Sequence, residues 1–211
     1  MATPLSPSKI VSDNQIEKLK TQFGDALRKV NPFSEDAQDL IETSWDELRD
    51  EVTQGCVGAI NRVLERKRNT IPILAKRVDY TRTPMQVIKA TGRVEYVDED
   101  IAKTMPRLGE GVRENMEVVF FKLGRNVGAE ELDREYELRG LVPDPYAQAA
   151  VNEQDSAFTD KHPNGSQWYR EGRNASYLAF NRWHGGKRYV NCYRNDNDWH
   201  DYWWFAGVRK S

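Results

Sequence analysis

Ala179–Lys210 reads AFNRWHGGKRYVNCYRNDNDWHDYWWFAGVRK, and the alternation within it decides how the C-terminal part of the chain folds. In a strand successive side chains point to opposite faces. Across Tyr189-Val190-Asn191-Cys192-Tyr193 this places Tyr189, Asn191 and Tyr193 on one face and Val190 and Cys192 on the other, the core face. His184-Gly185-Gly186 and Asn195-Asp196-Asn197-Asp198 are strong turn formers. The pattern therefore predicts strands at Ser176–Trp183, Lys187–Arg194 and Tyr202–Val208, joined as a hairpin system. In the last strand Trp204, Ala206 and Val208 oppose Trp203, Phe205 and Gly207, so both faces read as buried, as in a central strand. The Tyr/Asn face, with Asn195, Asn197, His200 and Tyr202 at its turn, is then left to solvent. Tyr gives large rigid contact area and Asn adaptable hydrogen bonds, which suits a recognition surface. The plainer alternative is that the aromatic side chains fill a small β core and the Asn and Asp residues punctuate turns.

Upstream the period changes several times. Ala129–Leu138 reads as a helix ended by Gly140, Pro143 and Pro145, Tyr146–Gln154 as a shorter helix, and Thr159–Gly165 as a loop. Ile71–Tyr80, Gln86–Lys89, Arg93–Val97 and Met116–Leu123 read as strands. At the N-terminus Ser12 or Asp13 caps a helix with a stripe of Ile16, Leu19, Phe23, Ala26, Leu27 and Val30, stopped by Asn31-Pro32. Ser34 starts a second helix, whose stripe runs from Leu40 through Trp45, Val52, Cys56 and Ile60 to Leu64, interrupted or closely packed near Gly55 and Gly58. Two such helices on a short connection are expected to pack as an antiparallel pair. The fold class is therefore α+β: a helical section over 1–70, then a mixed α+β module over 71–211 whose tail, 176–211, carries the ligand surface.

Composition narrows the function classes. A hydrophobic fraction of 38% beside 30% charged residues suffices for a folded core. A net charge of −2 provides no global field that gathers phosphate backbones. A nucleic-acid role is thus expected only through the local group Arg62, Arg66, Lys67, Arg68, Lys76 and Arg77, near Tyr80. Cys56 and Cys192 make no CxxC or Cys/His spacing, which predicts two buried free thiols, with a disulfide as the alternative. The start of the chain lacks the basic and apolar pattern of a secretion signal, and no apolar stretch has membrane-spanning length, so the expected location is cytoplasmic and no membrane partner is expected.

The tail resembles the C-terminal part of variable proteins diversified by retroelements. The likeness is carried by Ala179–Lys210 together with the preceding VVFFKLGR, LDREYELRGLVPDPY and HPNGSQW, and by TRTPMQVIKATGRVEYVD and TMPRLGEG in the middle of the chain. It covers approximately Val78 to Lys210 and leaves the N-terminal helices outside it. In that family an error-prone reverse transcriptase rewrites adenines, and Asn codons become a set that includes Asn, Asp, His, Tyr and Ser. The resemblance implies a C-type-lectin-like module, a protein or other macromolecular ligand, and no catalysis. It further implies ligand contacts at Asn181, His184, Tyr189, Asn191, Tyr193, Asn195, Asn197, His200, Asp201 and Tyr202. Trp199, Trp203, Trp204, Phe205 and Gly207 become the fixed scaffold.

Other chemistry has weaker residue support. The three histidines, His162, His184 and His200, lie near Asp196, Asp198 and Asp201 only in part, and no HxxxH, HxH or HExxH spacing occurs. A nucleophile at Cys192 or a Ser/His pair has no elbow motif. Gly109-Glu110-Gly111 is not a phosphate loop, since Glu110 repels anions and no Lys-Ser/Thr follows. No cofactor is called for. The expected function is non-enzymatic ligand binding, with a nucleic-acid-associated protein as the alternative and a metal-dependent hydrolase using His184, His200 and nearby aspartates as the second.

Overall fold

A computed structural model describes residues 45–169, 175–183, 185–195 and 197–210, with Lys18 and Thr21, and divides the chain into two compact units, Met1–Asn61 and Arg62–Ser211. The helix expected after Ser12, apart from Lys18 and Thr21, and the start of the second helix at Ser34 lie outside the described residues, as does the pairing of the two. Helix α1, Trp45–Arg68, is unbroken through Gly55 and Gly58, against the expected interruption. A Cβ on Gly55 would meet nothing within 4 Å, so no close packing requires that glycine. α1 ends in Arg66, Lys67 and Arg68, cations at the negative end of the helix dipole.

From there the chain runs through β1 (Thr70–Asp79), α2 (Pro84–Ala90), β2 (Val94–Val97), α3 (Glu99–Ala102), β3 (Val112–Lys122) and α4 (Ala129–Leu138). It continues through β4 (Leu141–Pro143), α5 (Pro145–Gln154), α6 (Phe158–Lys161), β5 (Asn164–Tyr169), β6 (Ala175–Arg182), β7 (Arg188–Arg194) and β8 (Trp204–Arg209). The strands form one mixed sheet in the order β1-β3-β8-β5-β6-β7-β2, with β4 also on β8. Most ladders are antiparallel, whereas β5–β8 and β2–β7 are parallel.

Three sequence expectations are corrected. Gln86–Lys89 is not a strand but the body of α2: Thr83 accepts from the Gln86 N–H, the Gln86 side chain accepts from the Thr83 N–H, and Pro84 occupies the first turn. This reciprocal cap fixes a helix start that the short apolar run alone does not reveal. Thr159–Gly165 is not a loop throughout, because α6 ends at Lys161 and β5 begins at Asn164. Asn164 is fully buried there, its side chain bonded to Gln148 (2.9 Å) and Asn152 (3.0 Å). Finally, β8 forms no hairpin with β7. It enters the middle of the sheet between β3 and β5, while the outer edge of β7 is taken by β2.

Both faces of the sheet are covered, by different means. On the first, Val118, Phe120, Leu178, Phe180, Val190, Cys192, Ala206 and Val208 pack with α2, α3 and α5. α5 is buried from Pro145 through Asn152, and its polar side chains are satisfied inside: Gln148 accepts from Ser166 (2.6 Å), and Asn152 donates to the Gln148 carbonyl (2.9 Å). On the second face Val119, Phe121 and Phe205 pack with Leu132 and Tyr136 of α4 and with Trp199 and Trp203, which follow β7. Burying each large apolar side chain contributes about 1.5–3 kcal/mol. Both cysteines are free; Cys192 is buried, but Cys56 is exposed, which corrects the expectation of two buried thiols. Among the described residues no helix is long and apolar enough to cross a membrane.

Candidate functional site

The β6–β7 ladder sets Tyr177 opposite Tyr193, Ala179 opposite Asn191 and Asn181 opposite Tyr189. Directly opposed residues share a face, and the intervening Leu178, Phe180, Val190 and Cys192 go into the first-face core. β2 extends this face by parallel pairing, with Val94 beside Tyr189 and Tyr96 beside Asn191 in the register. The rings of Tyr96 and Tyr189 lie 5.7 Å apart, and Asn191 Nδ2 approaches Asn181 Oδ1 at 3.5 Å.

The loop after β7 closes one side of the patch and is fixed by Trp199. Its backbone pairs with Val127 in both directions (2.9 Å each), and its Nε1 donates to Gln167 Oε1 at 3.0 Å. The indole lies on Gly165, where a Cβ would come within 2.5 Å of its Cη2 atom. Around it pack Tyr177, Trp203 and Phe205, with ring centroids at 5.4, 5.2 and 5.5 Å. Beyond this anchor the Trp203 N–H donates to the His200 carbonyl (3.2 Å), making a turn whose tip carries His200 stacked on Tyr202 at 5.6 Å. The Asp201 N–H donates to Asn126 Oδ1 (3.1 Å), so the tip is held at its backbone while its side chains are exposed.

A shallow cleft of about 240 Å³ opens between this loop and the β6–β7 face. Of the ten expected contact residues, Asn181, Asn191, Asn195, Asn197 and Tyr202 line it. Tyr189 and Tyr193 share the strand face but lie outside the cleft lining, Tyr189 half-buried and Tyr193 exposed. His200 and Asp201 are exposed beside Tyr202, and His184 lies outside the described residues. The cleft also takes in Tyr177, Trp183 and Arg194, which were not among the expected contacts, and Asp198, which the sequence reading named only for a turn and for the metal alternative. Trp183, 65% exposed, joins Asn181 and Tyr202 in lining a second hollow with Asp160, Pro163 and Arg182, so it belongs to both concavities. Its exposure was not legible because the strand pattern assigns it only a position at the end of β6. Tyr96 was missed for another reason: nothing in the sequence says that β2 pairs with a strand some ninety residues later.

Arg182 and Arg188 both reach Asp160 (3.5 and 2.8 Å), and the hydrogen bond from Arg188 holds the Asp160 carboxyl below its ordinary range. Burial pushes the Tyr177 hydroxyl up, with Cys192 and Tyr193 adding to it. The Cys192 thiol is pushed up to about 12, by burial first and then by Asp98, so it is protonated and faces away from the cleft. Among the described residues no three His, Cys, Asp or Glu side chains converge as a metal site. The basic group is split: Arg62 and Arg66 line one cleft, Lys76 and Arg77 another, and Lys67 and Arg68 line neither. Set beside known proteins, the chain matches no family model, no curated protein and no solved structure.

Proposed function

We propose that this chain is a non-enzymatic binding protein that presents a diversifiable Tyr- and Asn-rich surface, in the manner of retroelement-diversified variable proteins with a C-type-lectin-like module. One observation carries the reading. Asn181, Asn191, Asn195, Asn197 and Tyr202 surround a single cleft, while their strand neighbours Phe180, Val190 and Cys192 are fully buried. Surface and frame thus use alternate residues of the same strands, so the first can change while the second stays. The neighbouring Tyr96, Trp183, Tyr193 and Tyr202 are exposed aromatic side chains, and patches of this kind on a soluble chain favour an interaction partner. A Tyr or Trp at the centre of an interface contributes ~2 kcal/mol or more. The ligand class that fits is a protein or comparable macromolecule, since exposed aromatic side chains such as Tyr96 and Tyr193 extend the surface beyond the cleft itself.

The test randomises Asn181, Asn191, Tyr193, Asn197 and Tyr202 over Asn, Asp, His, Tyr and Ser, displays the library on phage and selects on immobilised streptavidin. Folded, saturable binders are expected, with none from a matched library at exposed positions of α1. A library that is largely unfolded, or that performs no better than its control, rejects the proposal. The DNA beside the gene offers an independent check: a near-copy of the stretch encoding Asn181 to Lys210, differing mainly at adenines and close to a reverse transcriptase gene, is expected there.

A further inference from the structure

The end of α1, the turn after β3 and the end of α4 enclose a second cleft, of about 560 Å³, that the ligand face does not use. Five cations line it: Arg62, Arg66, Lys122, Arg125 and Arg139. Arg62 and Arg66 stand one helical turn apart and so project from the same side of α1. The Lys122 N–H is tied to the Asn69 carbonyl at 2.9 Å, and Arg125 follows Gly124, whose φ of +69° turns the chain. Arg125 is held by Glu131 (2.6 Å) and Glu135 (3.2 Å), and Glu135 also pairs with Arg139. Glu65 lines the cleft too, so five cations face three carboxylates in all. Arg62, Arg66 and Lys122 have no carboxylate partner among the described residues.

Arg139 is the most telling member. Its side chain is only 9% exposed and lies over the Phe121 ring at 4.4 Å. Nη1 donates to the Glu135 carboxylate and carbonyl, whereas Nε is buried with no hydrogen-bond partner. Burial lowers its affinity for a proton, and Arg66 and Arg125 add to that effect against Glu135. Like charges gathered around one cleft, one of them on a buried side chain, cost free energy that an anion recovers.

We propose that this cleft binds the phosphate or diphosphate group of a small molecule. Several guanidinium groups and one ammonium, converging from three elements, suit an anion with acceptor oxygens in several directions. The volume lies within the ~300–1,000 Å³ of small-molecule sites, and Leu123 and Leu138 supply an apolar wall for an organic remainder. A nucleic-acid groove fits less well. Lys67 and Arg68, which would extend the cations into a stripe, do not line the cleft, and Lys76 and Arg77 line a separate one.

The full chain is titrated with pyrophosphate and with AMP by calorimetry at constant ionic strength, and unfolding midpoints confirm that each variant folds. Saturable binding is expected, weakened about tenfold or more in Arg66→Glu and in Lys122→Glu and unchanged in Lys103→Glu and Tyr193→Ala. Tighter binding of AMP assigns the site to an organic ester, and tighter binding of pyrophosphate to an inorganic chain; both support the proposal. Absence of saturable heat with either ligand up to millimolar concentration overturns it, as does an equal loss in Lys103→Glu. Binding of a short DNA duplex with a steep salt dependence, in the absence of pyrophosphate binding, overturns it in favour of a nucleic-acid surface.

Discussion

Trp199 and Tyr202 are three residues apart and do opposite work. Trp199 is buried, sits on Gly165, bonds Gln167 and pairs its backbone with Val127, whereas Tyr202 is exposed, its ring beside those of His200 and Trp203. Trp199→Ala is therefore expected to destabilise by about 3–5 kcal/mol, the range for large aromatic truncations in cores. Tyr202→Ala and Tyr193→Ala are expected to cost below about 1 kcal/mol. Urea unfolding of the three variants makes the comparison, and a Tyr202→Ala loss as large as that of Trp199→Ala would sink the division into frame and surface. Cys192 gives a second residue-scale prediction. Its thiol is raised to about 12 by burial and by Asp98, so the folded state favours the neutral form. In the unfolded chain a thiol ionises near ~8.5. Its contribution is thus complete below that pH and is lost as pH rises from there towards the folded value. Urea midpoints should fall between pH 8 and 10.5, and fall less in Cys192→Ala; equal falls refute the assignment. These positions were legible because a period of two separates Val190 and Cys192 from their neighbours, whereas Cys56 was misjudged because a helical stripe does not say what covers it.

At the scale of elements, α4 and α5 were readable because the punctuation between them is in the sequence. Gly140 and the Pro143 and Pro145 pair bound them, and Asp144 caps α5 by accepting from the Tyr146 and Ala147 N–H groups (3.0 Å each). α2 was not readable from hydrophobicity, since a short run around Val87 and Ile88 is buried equally well as helix or strand. What decides it is chemistry at its first turn, Thr83 and Gln86 across Pro84. Thr83→Ala is expected to cost about 1 kcal/mol, the usual loss of an N-cap side chain. The same substitution at Thr81, whose exposed hydroxyl bonds the Asp79 carboxylate at 2.6 Å outside any helix, should cost less. If thermal unfolding ranks the two variants the other way, the cap does not determine α2. Strand existence was legible in the same sense, but strand neighbours were not. Alternation states which face a residue occupies and is silent about which strand lies beside it, so the parallel β2–β7 pairing and the Tyr96 contact stayed hidden.

For the whole Arg62–Ser211 unit, the order of the sheet sets a condition on folding. β8 is the last strand in sequence yet lies inside the sheet, paired on one side with β3 and on the other with β4 and β5. Its Ala206 and Val208 enter the first core and Phe205 the second, so both faces depend on it. Tyr136 donates to the Ala206 carbonyl at 2.9 Å, and a Cβ on Gly207 would come within 2.9 Å of the Tyr136 ring, which ties α4 to the same strand. A chain ended after Trp203 would leave buried strand edges on β3 and β5 without partners and open both cores at once. Such a chain is expected to lose its cooperative unfolding transition and to expose apolar surface to a hydrophobic dye. By contrast, a chain carrying serine at Asn181, Tyr193, Asn197 and Tyr202 together should retain the transition, because none of the four supplies a core side chain. The proposed diversification needs this asymmetry: the changeable positions run from the end of β6 to the turn before β8, strands that the sheet cannot lose. Cooperative unfolding of the shortened chain, or loss of it in the serine variant, would separate the frame from the sequence bracket and remove the physical basis for a surface that varies on a constant fold.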